Sequence, residues 1–125
     1  MGKNITELLV DRIAKNGYIK ASEKKDAMNS VTTAEFPVKN FNILKVRDSL
    51  YGLGSIIEEN KPEMYYLTSV KAGFLGLAAV LVITRLDGDT VSAAAYAKGP
   101  GTQKTKDEAL AKIKQRLDWA SQPKG

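Results

Sequence analysis

The residues best suited to chemistry in this chain lie in a glycine-rich bend at residues 99–105, GPGTQKT. Their order approaches the pattern Gly-x-x-x-x-Gly-Lys-Ser/Thr, in which backbone N–H groups and a lysine surround nucleotide phosphates. The bend is one residue short, and Gln103 stands where a glycine must precede Lys104. That glycine is needed because its backbone turns the N–H groups inward around the anion. The mismatch with the phosphate-loop pattern therefore argues against nucleotide hydrolysis.

The position of the bend points the same way. A phosphate loop is supported by a carboxylate that a later strand brings to the magnesium ion, whereas residues 106–125 contain only one predicted helix. We therefore expect a structural corner between the last strand and the last helix. A helix start with free N–H groups and nearby lysines can still hold a sulfate or phosphate weakly. The predicted anion-binding residues are Gly101, Lys104, Thr105 and Lys106.

A second candidate site is the basic C-terminal helix. The net charge of the chain is +5, and residues 98–125 hold seven basic and three acidic residues, which supply four of the five excess charges. Lys114 and Arg116 are predicted nucleic-acid contacts, with Trp119 as a stacking surface for a base. Acidic residues are interspersed with these lysines, which is more typical of an ordinary solvated helix face. Nucleic-acid binding is thus an alternative to a purely structural role.

Catalysis finds little support in the sequence. The absence of histidine and cysteine excludes disulfides, thiolate chemistry and every imidazole-based site. The paired acids Glu58-Glu59 and Asp87/Asp89 fall at a predicted helix end and a hairpin, where acids are common. The tyrosines have no base at a fixed spacing. We expect no metal and no cofactor, and an enzyme using carboxylate or tyrosine chemistry ranks as the last alternative.

The elements that position these residues begin with a predicted helix at residues 4–17, capped by Asn4 and stopped by Gly17. A short strand at residues 18–22 and an edge strand at residues 31–38 follow, the latter because Pro37 cannot donate to a ladder. Residues 41–59 show helical spacing of their apolar residues and predict a second helix. Its two internal glycines, Gly52 and Gly54, indicate close packing on a sheet or a break in the last turns.

Three strands linked by hairpins are predicted next, at residues 64–72, 74–84 and 89–97. The middle one is apolar on both faces, as expected for a central strand, and Asp87-Gly88 is a strong hairpin signal. The third carries a face of alanines, against which we expect Gly52 and Gly54 to lie. The last helix, residues 105–121, opens with a predicted capping box between Thr105 and Glu108.

This order predicts an α+β fold, an antiparallel sheet of four or five strands with about three helices packed on it. Composition and length are typical of one folded, soluble domain over residues 1–125. The longest apolar run, residues 74–83, is far shorter than the roughly 20 residues of a membrane-spanning helix. Without a predicted signal peptide, we expect a cytoplasmic protein. The start MGKNIT is a weak match to an N-myristoylation pattern.

The function that the sequence favours is a non-catalytic binding or interaction module. Its partner is expected to be another protein or a small ligand, with self-association into a homo-oligomer as one form of that interaction. Binding of nucleic acid through the C-terminal helix is the first alternative, and a salt-dependent affinity would distinguish it from apolar association.

Overall fold

The computed structural model describes residues 4–121, which form five strands, four helices and two single turns of 3-10 helix. In chain order the elements are α1 (Ile5–Lys15), a turn at Ala21–Glu23, α2 (Lys24–Met28), β1 (Thr32–Pro37), α3 (Ile43–Leu50), β2 (Gly54–Asn60), β3 (Tyr65–Ala72), a turn at Phe74–Gly76, β4 (Ala78–Asp87), β5 (Thr90–Tyr96) and α4 (Gln103–Ser121).

The five strands form one antiparallel sheet in the order β1-β5-β4-β3-β2, which confirms the α+β class and the antiparallel arrangement. Strands β2 to β5 are consecutive hairpins, and β1 adds to the far side of β5. The hairpin between β4 and β5 turns at Gly88, whose φ of +61° suits glycine. Pro37 lies in edge strand β1, as predicted, where a missing N–H donor is tolerated.

Both faces of the sheet are covered, because side chains along each strand alternate between two separate cores. On β3, for example, Tyr66 and Val70 face the core that α3 and α4 complete, while Tyr65 and Leu67 face the core beneath α1 and α2. The central strand β4 is apolar on both faces for this reason, as its sequence predicted. The result is three layers, with the sheet between two pairs of helices.

Helix α1 is held at its start and tied to the sheet near its end. The Asn4 side chain accepts a hydrogen bond from the Glu7 N–H at 2.8 Å, which confirms the predicted cap. Arg12 forms a two-pronged ion pair with Glu58 of β2, with 2.8 Å between Nε and Oε1. The hydrogen bond to Glu58 raises the pKa of Arg12.

The predicted helix over residues 41–59 is wrong in its second half. Helix α3 ends at Leu50, Gly52 turns the chain with φ of +84°, and Gly54 begins strand β2. Gly54 pairs with Val70 so closely that a Cβ built on it would lie 1.7 Å from the Ser69 carbonyl oxygen. The glycines therefore mark the helix break and a close strand approach.

The contact predicted between these glycines and the alanine face of β5 is also wrong. Ala93 and Ala95 belong to the core that includes Ala109 and Ile113 of α4, so the final helix covers them. The nearest atom to a Cβ at Gly52 is Arg116 Nη2. A face of small residues does admit a closely packed helix, but that helix is α4.

Three smaller predictions are corrected by the structure. Residues 18–22 form no strand and lead into the turn at Ala21–Glu23 and helix α2. Helix α4 begins at Gln103, so Thr105 lies inside its first turn instead of capping it. Glu108 accepts a hydrogen bond from the Gly73 N–H at 2.8 Å. Strand β4 begins at Ala78, later than predicted, because residues 74–76 turn.

From the burial of Tyr66 we predict that the folded protein loses stability in alkaline solution. Its side chain is fully buried with the hydroxyl on the Ile43 carbonyl at 3.3 Å, and burial raises the pKa of Tyr66 above its usual value. The unfolded chain releases this proton near pH 10, as a free tyrosine does at about that pH, whereas the folded chain keeps it. Stability should therefore fall as the pH rises above about 10. Urea unfolding from pH 8 to 11 should show a shallower decline for Tyr66→Phe, and equal slopes would contradict this assignment.

Candidate functional site

The most unusual surface feature of the described residues is an apolar loop tip between β3 and β4. Phe74, Leu75 and Leu77 are 84%, 77% and 79% exposed, respectively. We call these three side chains the tip. Single exposed apolar residues are ordinary on protein surfaces, whereas a contiguous group of large ones marks an interaction surface.

The backbone of this loop is sharply bent, with positive φ at three of the four residues 73–76. Gly73 and Gly76 have φ of +79° and +64°, and Leu75 between them has φ of +57°. A left-handed conformation costs a residue with a Cβ about 1 to 2 kcal/mol. Strain of this kind persists where the surroundings enforce it, and it recurs at ligand-contacting segments.

Hydrogen bonds hold the loop against the sheet and helix α4. The Gly73 N–H donates to the Glu108 carboxylate, and the Gly76 N–H donates to the Gly73 carbonyl at 3.0 Å. At the base, Ala72 pairs with Ala78 in the β3–β4 ladder. The tip is thus presented on an anchored loop.

Three exposed lysines lie at the same end of the sheet as the loop and form what we call the lysine rim, Lys71, Lys98 and Lys104. A Cβ at Gly76 would lie 4.0 Å from Lys71 Cβ, and Lys112 Nζ donates to the Lys71 carbonyl at 3.1 Å.

Of the other two rim lysines, Lys98 lies on the segment that links β5 to α4, and Lys104 lies in the first turn of α4. Lys104 precedes Thr105, whose Cγ2 would lie 3.8 Å from a Cβ at Gly73. Lys98 follows β5 at the same end of the sheet, because Tyr96 pairs with Leu81 near the start of β4.

The acidic side chains near this rim are engaged in hydrogen bonds. Glu108 accepts from Gly73 and lies 3.6 Å from Lys112 Nζ. Asp107 accepts from the Gln103 amide at 2.9 Å. The loop end of the sheet therefore combines apolar side chains with a net positive charge.

The predicted anion-binding residues are only partly together. Gly101 and Lys104 are exposed in the bend before and at the start of α4, with Gly101 at φ of +71°, and Thr105 is half-buried. Lys106 is buried, and its ammonium donates to the carbonyl of Ser30, which lies between α2 and β1. The anion site stays a prediction that rests on the exposed part of the bend.

The predicted nucleic-acid residues lie near the C-terminal end of α4. Lys114 forms an ion pair with Asp118 at 2.7 Å, and Arg116 Nη1 donates to the Tyr51 carbonyl at 2.9 Å. Trp119 is 59% exposed. Nucleic-acid binding stays a prediction, and both cations have partners within the chain.

Sequence reasoning missed the tip because it placed residues 74–77 in a strand. The signal that could have found it is the pair Gly73 and Gly76 around two large apolar residues, a spacing typical of a turn. Within residues 4–121, no cluster of three or more carboxylates is placed to hold a metal ion. No helix in that range is long and apolar enough to cross a membrane.

Comparison with known proteins gives no family for the chain. No protein-family model matches it, and no curated protein sequence matches it. Its function must therefore be inferred from its own residues.

Proposed function

We propose that this chain is a non-catalytic interaction module that docks on a larger partner through the tip. The observation that carries the proposal is the exposure of Phe74, Leu75 and Leu77 on an anchored loop. Contact with water is unfavourable for such side chains, and docking removes them from it. The strained backbone at Leu75 supports the proposal, because a relaxed loop would not need this conformation.

The tip supports a large partner better than a small ligand. Small-molecule sites are concave and enclose most of the ligand, whereas the tip side chains project with about four-fifths of their surface free. The alternative surface at the end of α4 offers weaker support, because Lys114 and Arg116 already bind Asp118 and the Tyr51 carbonyl.

The test is a comparison of native association before and after removal of the tip. A variant with Phe74→Ser, Leu75→Ser and Leu77→Ser should keep the fold, since these side chains are exposed. In extracts of the cells that make the protein, the unaltered chain should fractionate with large particles or complexes, and the tip variant should elute as a 13.6 kDa monomer.

A matched control removes three exposed apolar side chains elsewhere, Tyr18→Ser, Leu44→Ser and Met64→Ser. This variant should fractionate like the unaltered chain. If the unaltered chain is itself monomeric in extracts, or if the two variants lose association equally, the proposed function is wrong.

A further inference from the structure

We propose that the partner is an anionic lipid surface, which the tip enters while the lysine rim lies against the headgroup phosphates. This inference rests on the proposed function, since it names the partner of the same tip. It needs three features that lie together on the molecule: apolar side chains that project, cations around them, and a backbone that holds both in place.

The size of the tip favours lipid over protein. A stable protein interface buries roughly 800 Å² on each partner, which three side chains cannot supply. The neighbouring surface is lysine-rich, and lysine is depleted at protein interfaces. A bilayer requires no complementary pocket, because any projecting apolar group can enter the boundary between headgroups and acyl chains. A second copy of this chain would place like charges opposite each other.

Charge along the sheet favours the same orientation. The loop end carries the rim lysines, whereas the opposite end carries Asp87, Asp89 and Glu63 together with Lys39 and Lys61. Lysines near an anionic leaflet each add to the attraction, within the short range set by salt. A negatively charged surface would therefore attract the end that bears the tip more strongly than the opposite end.

Two acidic side chains near the tip, Glu108 and Asp107, already have hydrogen-bond partners within the chain, which reduces their repulsion of an anionic surface. Glu108 is tied to the Gly73 N–H and to Lys112, and Asp107 is tied to Gln103. The tie between Glu108 and Gly73 also fixes the loop, so the exposed tip does not have to become ordered on binding. Pre-ordering of this kind reduces the entropic cost of association.

Vesicle sedimentation tests the proposal with purified protein. The probes are vesicles of phosphatidylcholine mixed with phosphatidylserine, vesicles of phosphatidylcholine alone, and inorganic phosphate as a competitor. The unaltered chain should pellet with the mixed vesicles, with at least tenfold weaker partitioning on phosphatidylcholine alone. Inorganic phosphate at the ionic strength of the buffer should not release it.

Two variants separate the apolar and the electrostatic contributions. The Phe74→Ser, Leu75→Ser, Leu77→Ser variant should partition at least tenfold more weakly on mixed vesicles. Lys71→Glu with Lys98→Glu should have a similar effect, whereas the same charge changes at the distant Lys39→Glu with Lys61→Glu should have little. Circular dichroism checks that each variant is folded.

The outcomes distinguish failure of this inference from failure of the proposed function. Insertion of the tip would be overturned if the Phe74→Ser, Leu75→Ser, Leu77→Ser variant bound vesicles as well as the unaltered chain. Release of the unaltered chain by inorganic phosphate would overturn it too. If no vesicle is bound while association in extracts still depends on the tip, the partner is a protein and only the lipid inference falls. If association in extracts is also independent of the tip, both proposals fall.

Discussion

Replacing Gly54 by alanine should lower the free energy of unfolding by about 3 kcal/mol or more, the upper range for overpacking. The added Cβ would lie 1.7 Å from the Ser69 carbonyl oxygen and 2.8 Å from the carbonyl carbon. Both are backbone atoms of β3, so no side-chain rotation can relieve the overlap. Strand β2 must separate from β3 at this point, and the ion pair between Glu58 and Arg12 depends on its position. Urea unfolding followed by circular dichroism measures the loss.

Gly88→Ala is the matched control for this prediction. Gly88 has φ of +61°, and a Cβ built there would meet nothing within 4 Å. Its replacement by alanine should therefore lower the free energy of unfolding only by the cost of a left-handed backbone conformation, about 1 to 2 kcal/mol. The account of Gly54 would be contradicted if the two variants were destabilised equally.

Leu117→Ala should lower the free energy of unfolding by about 2 to 5 kcal/mol, as truncation of a buried leucine does. Leu117 is 1% exposed and lies in the core between α4 and the sheet. The loss combines the transfer energy of the removed methyl groups with the cavity they leave, because the three layers cannot fully collapse into it. The same urea titration measures it.

Trp119→Ala in the same helix provides the comparison for Leu117. Trp119 is 59% exposed and lies outside both cores, so its removal should change stability by no more than about 0.5 kcal/mol. If Trp119→Ala is as destabilising as Leu117→Ala, the helix is rotated relative to the described packing, and the exposure of Trp119 as a stacking surface is lost with it.

The strand order of the second half was predictable because local signals agreed. Alternation on β3, an apolar β4 and the Asp87-Gly88 turn all indicate neighbouring antiparallel strands, and parallel strands would need long crossovers. The cap of α1 was equally local, since Asn4 and Glu7 are three residues apart. Such features need no knowledge of distant contacts.

The errors arose where a distant partner decides the local structure. Residues 55–59 continue the helical spacing of α3, but Gly54 fits only against the Ser69 backbone, which is absent from any local window. Residues 74–77, predicted as part of a strand, turn instead, and the Gly73 N–H beside them donates to Glu108, more than thirty residues away. Long-range pairing thus overrides the helix-like periodicity of residues 55–59.

Only the basic part of the candidate site was predicted from the sequence. The basic bend at residues 99–105 was recognised from the sequence. The proposed role of its exposed lysine depends on the tip, which lies on a separate hairpin. Lys106 could not be separated from Lys104 by type, although one is buried and the other exposed. Which lysines share a surface depends on how the helix packs on the sheet.

The most direct test of the tip as a docking surface is the fluorescence of Leu75→Trp in a Trp119→Phe background. On vesicles containing phosphatidylserine, its emission should shift to shorter wavelength and be quenched by lipids brominated near the headgroup end of the acyl chains. An emission spectrum that stays that of a water-exposed indole, on vesicles to which the protein is bound, would contradict the account.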